Sequence, residues 1–439
     1  MKERIKSIIL FVLVANSLFL TWFLIFYSPN NEKESPSEYV PRLTFGQELD
    51  VKQMIRPKQI IYHLGENSHS LSNTDSEDFK QLEADFDHWS FYEITSISEP
   101  IDWTKMIEVE QGIEIVFPFS LPNSVLSSLY KISTTMYLDQ INRLWLVLDQ
   151  NEKVIVYFIS DQKDKVYQAE TSISSKKLSK YIASGVNQPR YSYYWAFNKE
   201  RNINTKPIFY LPNEGLEMKK VRKFITPVSI EDYIQLLFID PSMVRKVYEL
   251  ANKESVLYTD GSRSMQFFPN NRVFSYFQPV TDNRKQLDWN NDLAASIRFV
   301  NQHGGWVGQY QLDDLGFAEA TSQPYFTFQQ YVGGYPLLTN KYLIGEINIQ
   351  LVDGIVSKVE QSMTLLDQDL DTKYIKTSSG PELLKKLEQH KIDAKVITSI
   401  ELGYQVEKKN DVLELFPHWR VRYNQNDEIT IPAYEGGMK

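Results

Sequence analysis

Ser255 to Pro279 reads SVLYTDGSRSMQFFPNNRVFSYFQP. Runs rich in β-branched and aromatic residues are cut into three by two turn signals, Asp260-Gly261 and Asn270-Asn271. Such side chains pack well on a pleated surface, and Asp, Asn and Gly tolerate the left-handed backbone that tight turns need. The stretch predicts an antiparallel meander of three strands.

The flanks extend this reading. Upstream, Ser229 is placed to cap SIEDYIQLLFID, where Ile230, Ile234 and Leu237 form one stripe and Asp240-Pro241 interrupts it. MVRKVYEL, from Met243, predicts a further helical turn or two. Downstream, WNNDLAASIRFVNQHGG carries Leu293, Ile297 and Val300 on one helical face, with Gly304-Gly305 as the stop. Strands are expected at PYFTFQQYV, EINIQLV and IVSKVEQSM, the last two joined by Asp353-Gly354. PELLKKLEQHK predicts a helix with proline in its first turn, and two final strands surround NQND near Asn424. At least two units therefore read as a helix followed by antiparallel hairpins. The predicted fold class is α+β with antiparallel sheets.

The first outer region runs from Leu43 to Arg201. In TDSEDFKQLEADFDHW, Thr74 and Glu77 fit a capping box, and Phe79, Leu82 and Phe86 share a face. LWLVLDQNEKVIVYFIS predicts two strands around a turn at Gln150–Lys153.

Nearer the start, Ser7 to Tyr27 carries no charge, and fourteen of its residues are Ile, Leu, Val or Phe. As a helix it spans about 30 Å, the thickness of a bilayer's hydrocarbon core. At about −0.3 to −0.6 kcal/mol for each such residue, insertion is favourable. The run exceeds the apolar core of a signal peptide, and Phe26-Tyr27-Ser28-Pro29 lacks a small-residue cleavage pattern. An uncleaved single-pass anchor is expected. Lys2, Arg4 and Lys6 keep the short tail in the cytoplasm and send the bulk of the chain outside. Within the run, Ser17 and Thr21 share a helical face with Asn16 beside it, and in lipid such groups seek partners on neighbouring helices. Asn16, Ser17 and Thr21 are the candidate contacts to a membrane partner.

The layout predicts a tail (1–6), a transmembrane helix (7–27), a polar linker with three prolines (28–42), an N-terminal outer domain (43–201), a middle domain (202–285) and a C-terminal domain (286–439).

Composition narrows the chemistry. With 42% hydrophobic residues, 23% charged and a net charge of −9, the outer part suits a globular region and not a nucleic-acid binder. Zero cysteines exclude a disulfide framework, thiol catalysis and thiolate metal sites.

Ser128-Leu129-Tyr130-Lys131, Thr281-Asp282-Asn283 and Lys376-Thr377-Ser378 follow the order of penicillin-binding-protein motifs. Ser174-x-x-Lys177 matches the first pattern equally, and the later two depart from theirs. Asp367, Asp369 and Asp371 alternate as in a calcium loop, but Thr372 and Ser378 stand where glycine and glutamate belong, so a solvated acidic loop is expected. His63, His69 and His88 lie near Asp85 and Asp87 without metal-type spacing. His303 closes a helix. No catalytic residue, metal or cofactor is assigned. RYSYYWAFNKER, from Arg190, interleaves aromatic and basic residues. It suits either a packed strand or a surface in which Tyr193, Tyr194 and Trp195 bind a wall component or other envelope ligand.

One further feature is the order of several local stretches. RPKQIIYHLGE, EDYIQLLFIDPSMVRK, YTDGSRSMQFF, FTFQQYVGGYPLL and LFPHWRVRYN follow a short basic tail and one anchor. Over essentially the full chain this resembles the YycH (WalH) family. The resemblance implies a non-enzymatic accessory protein of low-GC Gram-positive bacteria. It implies three outer domains, a YycI (WalI)-like partner, and action through transmembrane helices on a YycG (WalK)-like sensor histidine kinase that controls cell-wall metabolism. It brings no catalytic motif.

Overall fold

In the computed structural model, the segment from Gln59 to Pro212 builds one ten-stranded sheet. The structure describes residues 43–434, apart from 134–136, 150, 198–203, 249–253, 283–286, 339–340, 410–411, 425–426 and the side chains of 367–368. Before residue 43 it describes only Arg4, Lys6, 13–17 and 19. The strands are β1 (Gln59–Leu64), β2 (His69–Ser72), β3 (Ser90–Ser96), β4 (Gln111–Leu121), β5 (Lys131–Ile132), β6 (Ile141–Leu148), β7 (Val154–Ser160), β8 (Lys165–Thr171), β9 (Arg190–Trp195) and β10 (Ile208–Pro212). Their order is β10-β9-β2-β1-β4-β6-β7-β8-β3-β5. The pairings are antiparallel except for the short β3–β5. The expected hairpin is present as β6 and β7, and Asp149 accepts from the backbone N–H groups of Asn151 and Lys153 across its turn.

Next come β11 (Glu217–Pro227), β12 (Arg245–Tyr248), β13 (Val256–Thr259), β14 (Ser264–Phe268) and β15 (Val273–Phe277). They are followed by β16 (Gln309–Phe317), β17 (Pro324–Val332), β18 (Tyr335–Pro336), β19 (Glu346–Val352), β20 (Ile355–Ser362), β21 (Thr364–Lys376), β22 (Ile397–Lys409), β23 (Val412–Tyr423) and β24 (Asp427–Pro432). A nine-stranded sheet runs β12-β13-β14-β15-β20-β19-β17-β16 with β18 on β17, and a five-stranded sheet runs β21-β11-β23-β22 with β24 on β23.

The quoted meander forms as β13, β14 and β15. Thr259 pairs with Ser264 and Phe268 with Val273 at its two turns. Gly261 takes φ +93°, and Asp260 accepts from the N–H groups of Ser262 and Arg263. Met265, Phe267, Phe274 and Tyr276 face the core.

Helices Ile230–Leu237 and Trp289–Gln302 cover this sheet. Ser229 and Asp232 make the capping box of the first, and Asp288 caps the second. Gly304 and Gly305 stop the second with φ +115° and +77°. They also admit a close chain approach, because a Cβ on Gly305 would lie 2.7 Å from the Gly46 carbonyl oxygen.

Three local expectations change. MVRKVYEL yields strand β12 after a short turn at Pro241–Met243, since Asp240-Pro241 stops the helix and Val and Tyr favour the sheet edge. Helix Glu77–Asp85 is capped by Ser76, which accepts from the Phe79 N–H, while Thr74 is buried and donates to the Gly334 carbonyl. Asp369 and Asp371 lie within strand β21, not in a loop, and Asp369 pairs with Lys223 at 2.5 Å on β11.

The sheets run past two of the predicted boundaries. β9 pairs with β10 across 201/202, and β15 pairs with β20 across 285/286. Thr44–Lys439 forms one compact unit and Met1–Leu43 another. In the latter the described residues before Leu43 are helical. Among the described residues no helix is long and apolar enough to cross a membrane, and most of Ser7–Tyr27 lies outside them.

Inside the first sheet, Arg143 is buried between two carboxylates, donating to Glu114 at 3.0 Å and to Asp161 at 2.6 Å. Removing its charge leaves Glu114 fully buried without its cation. Arg143→Met is expected to destabilise the protein by about 3–5 kcal/mol in urea unfolding. Ser229→Ala, which removes only a cap, should cost about 1 kcal/mol.

Candidate functional site

The three sheets meet around one carboxylate. Glu401 on β22 is buried, and its Oε1 receives Lys58 Nζ at 2.6 Å while Oε2 receives the Arg420 guanidinium from β23. Lys58 leads into β1, where its N–H bonds the Val116 carbonyl of β4. Asp313 on β16, in the nine-stranded sheet, shares a recess of about 290 Å³ with all three side chains. Glu401 and Arg420 are buried, so each needs a counter-charge there.

The electrostatics follow from this crowding. Burial opposes ionisation of Glu401, but Arg420 and Lys58 outweigh it and hold the carboxyl below the usual range. Burial, and then the negative charge of Glu401, push Asp313 up to about 6 against the pull of Arg420 and Lys58.

Lys58 and Glu401 also line a second, larger cleft of about 850 Å³. Tyr191, Tyr210, Tyr331, Tyr335 and Trp419 form much of its wall. Tyr210 is held from behind, donating to Glu114 at 3.0 Å. The Tyr331 hydroxyl is buried with no hydrogen-bond partner among the described residues. The Trp419 indole donates to Ser378 Oγ at 3.0 Å. A cleft of this volume, aromatic and partly polar, has the character of a ligand or segment-binding site.

The residues singled out in the sequence are distributed differently. Asn16 and Ser17 are helical and exposed, and Thr21 lies outside the described residues. Arg190–Trp195 is strand β9, and its aromatics are largely engaged in packing. Tyr191 is buried, Tyr193 donates to Glu108 at 2.7 Å, Tyr194 stacks on Phe209, and Trp195 lies beneath Lys206.

The pattern of penicillin-binding-protein motifs does not assemble. Ser128 sits in the last turn of helix Asn123–Leu129 and donates to the Val125 carbonyl, with Lys131 already in β5. Thr377 accepts from the Leu216 N–H, and Asn283 lies outside the described residues. Ser174 caps helix Ser175–Ser184.

His63 and His69 are opposite each other in the β1–β2 register, both buried, with ring centres 5.2 Å apart. Burial, and then His63, lower His69 to about 4. Asp85 accepts from Tyr181, and Asp87 pairs with Lys52. His303 caps its helix and bonds the Phe299 carbonyl. Among the described residues no His, Asp or Glu group is arranged to hold a metal ion.

Lys58, Asp313, Glu401 and Arg420 were not anticipated from the sequence. The available signal was a charge at a core-facing position of an apolar strand, as in SIELGYQV and FPHWRVRY.

Comparison with known proteins places this architecture. Residues 3–184 match the family described as YycH protein, N-terminal domain, and residues 206–436 match YycH protein, C-terminal domain. A relative from Bacillus subtilis (strain 168), named Two-component system WalR/WalK regulatory protein YycH, is 23% identical over 96% of this chain and 95% of its own. A solved structure described as YycH from Bacillus subtilis shares the fold, with a TM-score of 0.69 over 90% of this chain and 99% of that one at 18% identity.

The raised Asp313 makes a signed prediction. A carboxyl whose folded value exceeds its unfolded value favours folding when protonated, and this contribution is lost as pH rises through about 6. Asp313→Asn should therefore raise the melting temperature over the parent at about pH 7.5, and the gain should shrink as pH falls through about 6 and vanish only near about pH 3, below the value of an unfolded carboxyl. Thermal unfolding at both pH values checks it.

Proposed function

We propose a regulatory, non-enzymatic role for this chain, which belongs to the YycH family. The supporting observation is the relative named as a WalR/WalK regulatory protein, which aligns over 96% of the chain. On this reading the protein is a single-pass membrane protein with its tail in the cytoplasm and its sheets outside. It biases a WalK-like sensor histidine kinase, acting together with a YycI-like protein.

The physical requirement is strict. A regulator shifts a two-state kinase only by its differential affinity for the two states. Ser7–Tyr27 is the segment that would lie beside the kinase's own membrane helices, and Asn16, Ser17 and Thr21 are the groups in it that seek hydrogen-bond partners in lipid. One interhelical hydrogen bond of about 0.6–2 kcal/mol is worth a shift of about 3- to 30-fold between states. The outer sheets supply the surface for the second partner.

Replacing Ser7–Tyr27 with an unrelated anchor of equal length should change the transcriptional output of the kinase system at unchanged protein level. Unchanged output would reduce the helix to a tether. A photoreactive group in place of Leu20, one helical turn from Asn16, is expected to capture a kinase helix in membranes, and Asn16→Leu should weaken that adduct.

A further inference from the structure

We propose that the cleft at the junction of the three sheets binds an extended segment of another polypeptide, which adds as a strand to the free edge of β22. The inference stands on this geometry and is independent of how the membrane helix acts.

β22 is the last strand of the five-stranded sheet, and only its β23 side is fully paired. Two short pieces of the chain already bond its other side. The Phe197 N–H donates to the Ile397 carbonyl at 2.6 Å, and the Leu338 N–H donates to the Tyr404 carbonyl at 2.8 Å. Residues 398–403 lie between these two points. In an antiparallel ladder, alternate residues point both peptide groups away from the partner strand. Tyr404 does so, and in the same unbroken register Ile400 and Leu402, opposite Val421 and Trp419, do so too. Their N–H and C=O groups have no backbone partner among the described residues. Both residues are half-buried, and Ile400, Glu401 and Leu402 line the large cleft.

A row of unpaired peptide groups beside a cleft calls for a ligand with the same spacing of donors and acceptors, which is another extended backbone. The tyrosine-rich wall offers apolar faces to the side chains of such a segment.

The charges lining the cleft indicate the sign of the ligand. Lys58 is taken up by Glu401, and the Arg190 guanidinium donates to the carbonyls of Gly185 and Val186. Glu214 and Glu217 are exposed at the rim and make no ion pair among the described residues, with Lys376 opposite Glu217 in the β11–β21 register. The segment therefore carries a Lys or Arg at the end that meets Glu214.

Random octapeptides displayed on phage can be selected against the full chain in detergent micelles. Enriched peptides are then made in plain form and in a form N-methylated at alternate residues. The expected plain peptides are basic at one end and slow amide exchange at Ile400 and Leu402 by ~10-fold or more. N-methylation, which removes the pairing donors, should weaken binding by ~10-fold or more. Leu402→Pro deletes an outward N–H without removing a β22–β23 hydrogen bond and should abolish binding, whereas Leu402→Ala, which loses the same core packing but keeps the N–H, should still bind. The proposal is overturned if the Ile400 and Leu402 amides are already protected in the free wild-type protein. It is equally overturned if N-methylated peptides bind as well as plain ones, or if selection enriches nothing. The exchange measurement uses wild-type protein, so it decides the matter even if the proline variant does not fold.

Discussion

The architecture turns on one buried carboxylate with two cations. Glu401 cannot remain charged inside the protein without Lys58 and Arg420, and neither cation is comfortable there without it. Lys58 belongs to the first sheet and Arg420 to the third, with Asp313 of the second beside them. Separating the first sheet from the third would part Lys58 from Glu401 and leave a charge without its partner in a low-dielectric environment. The cluster thus sets how the sheets approach one another, and the large cleft is the space that approach leaves open. Arg143 plays the corresponding part within the first sheet, and Tyr210 ties its network to the cleft wall through Glu114.

A chain rich in catalytic-looking fragments resolves into structural roles once each fragment has neighbours. Ser174 caps a helix, Thr377 and Ser378 satisfy a backbone N–H and an indole, and Asp369 pairs across two strands. Short motifs of common residues carry chemistry only in the right local geometry. Here the lysine that should follow its serine along a helix begins a strand instead. The surfaces that these fragments leave for function, among the described residues, are sheet edges and clefts.

Several elements were legible because their signals are local. The meander announced its turns through Asp260-Gly261 and Asn270-Asn271, and Gly304-Gly305 marked a helix stop within a few residues of its last apolar position. The misreadings arose where two local signals competed. In MVRKVYEL the apolar spacing fits a helix turn, yet the segment pairs with β13 and becomes an edge strand. Near Thr74, two hydroxyls stood within reach of the helix start, and tertiary contact with Gly334 drew one of them away. The cleft and its ionic floor were not legible at all, because Lys58, Asp313 and Glu401 come from three distant segments of the chain that no periodicity links.

By itself, then, the sequence determined the class of the protein: antiparallel α+β layers, an apolar run suited to a bilayer, no thiol chemistry and no intact catalytic motif. Those features depend on residue type and on spacings of two to four positions, which a linear reading resolves. Only the tertiary structure decided which strands became edges, which charges were neutralised and where a cleft remained. Those outcomes depend on desolvation and pairing between distant segments, whose energies arise only when the sheets have come together.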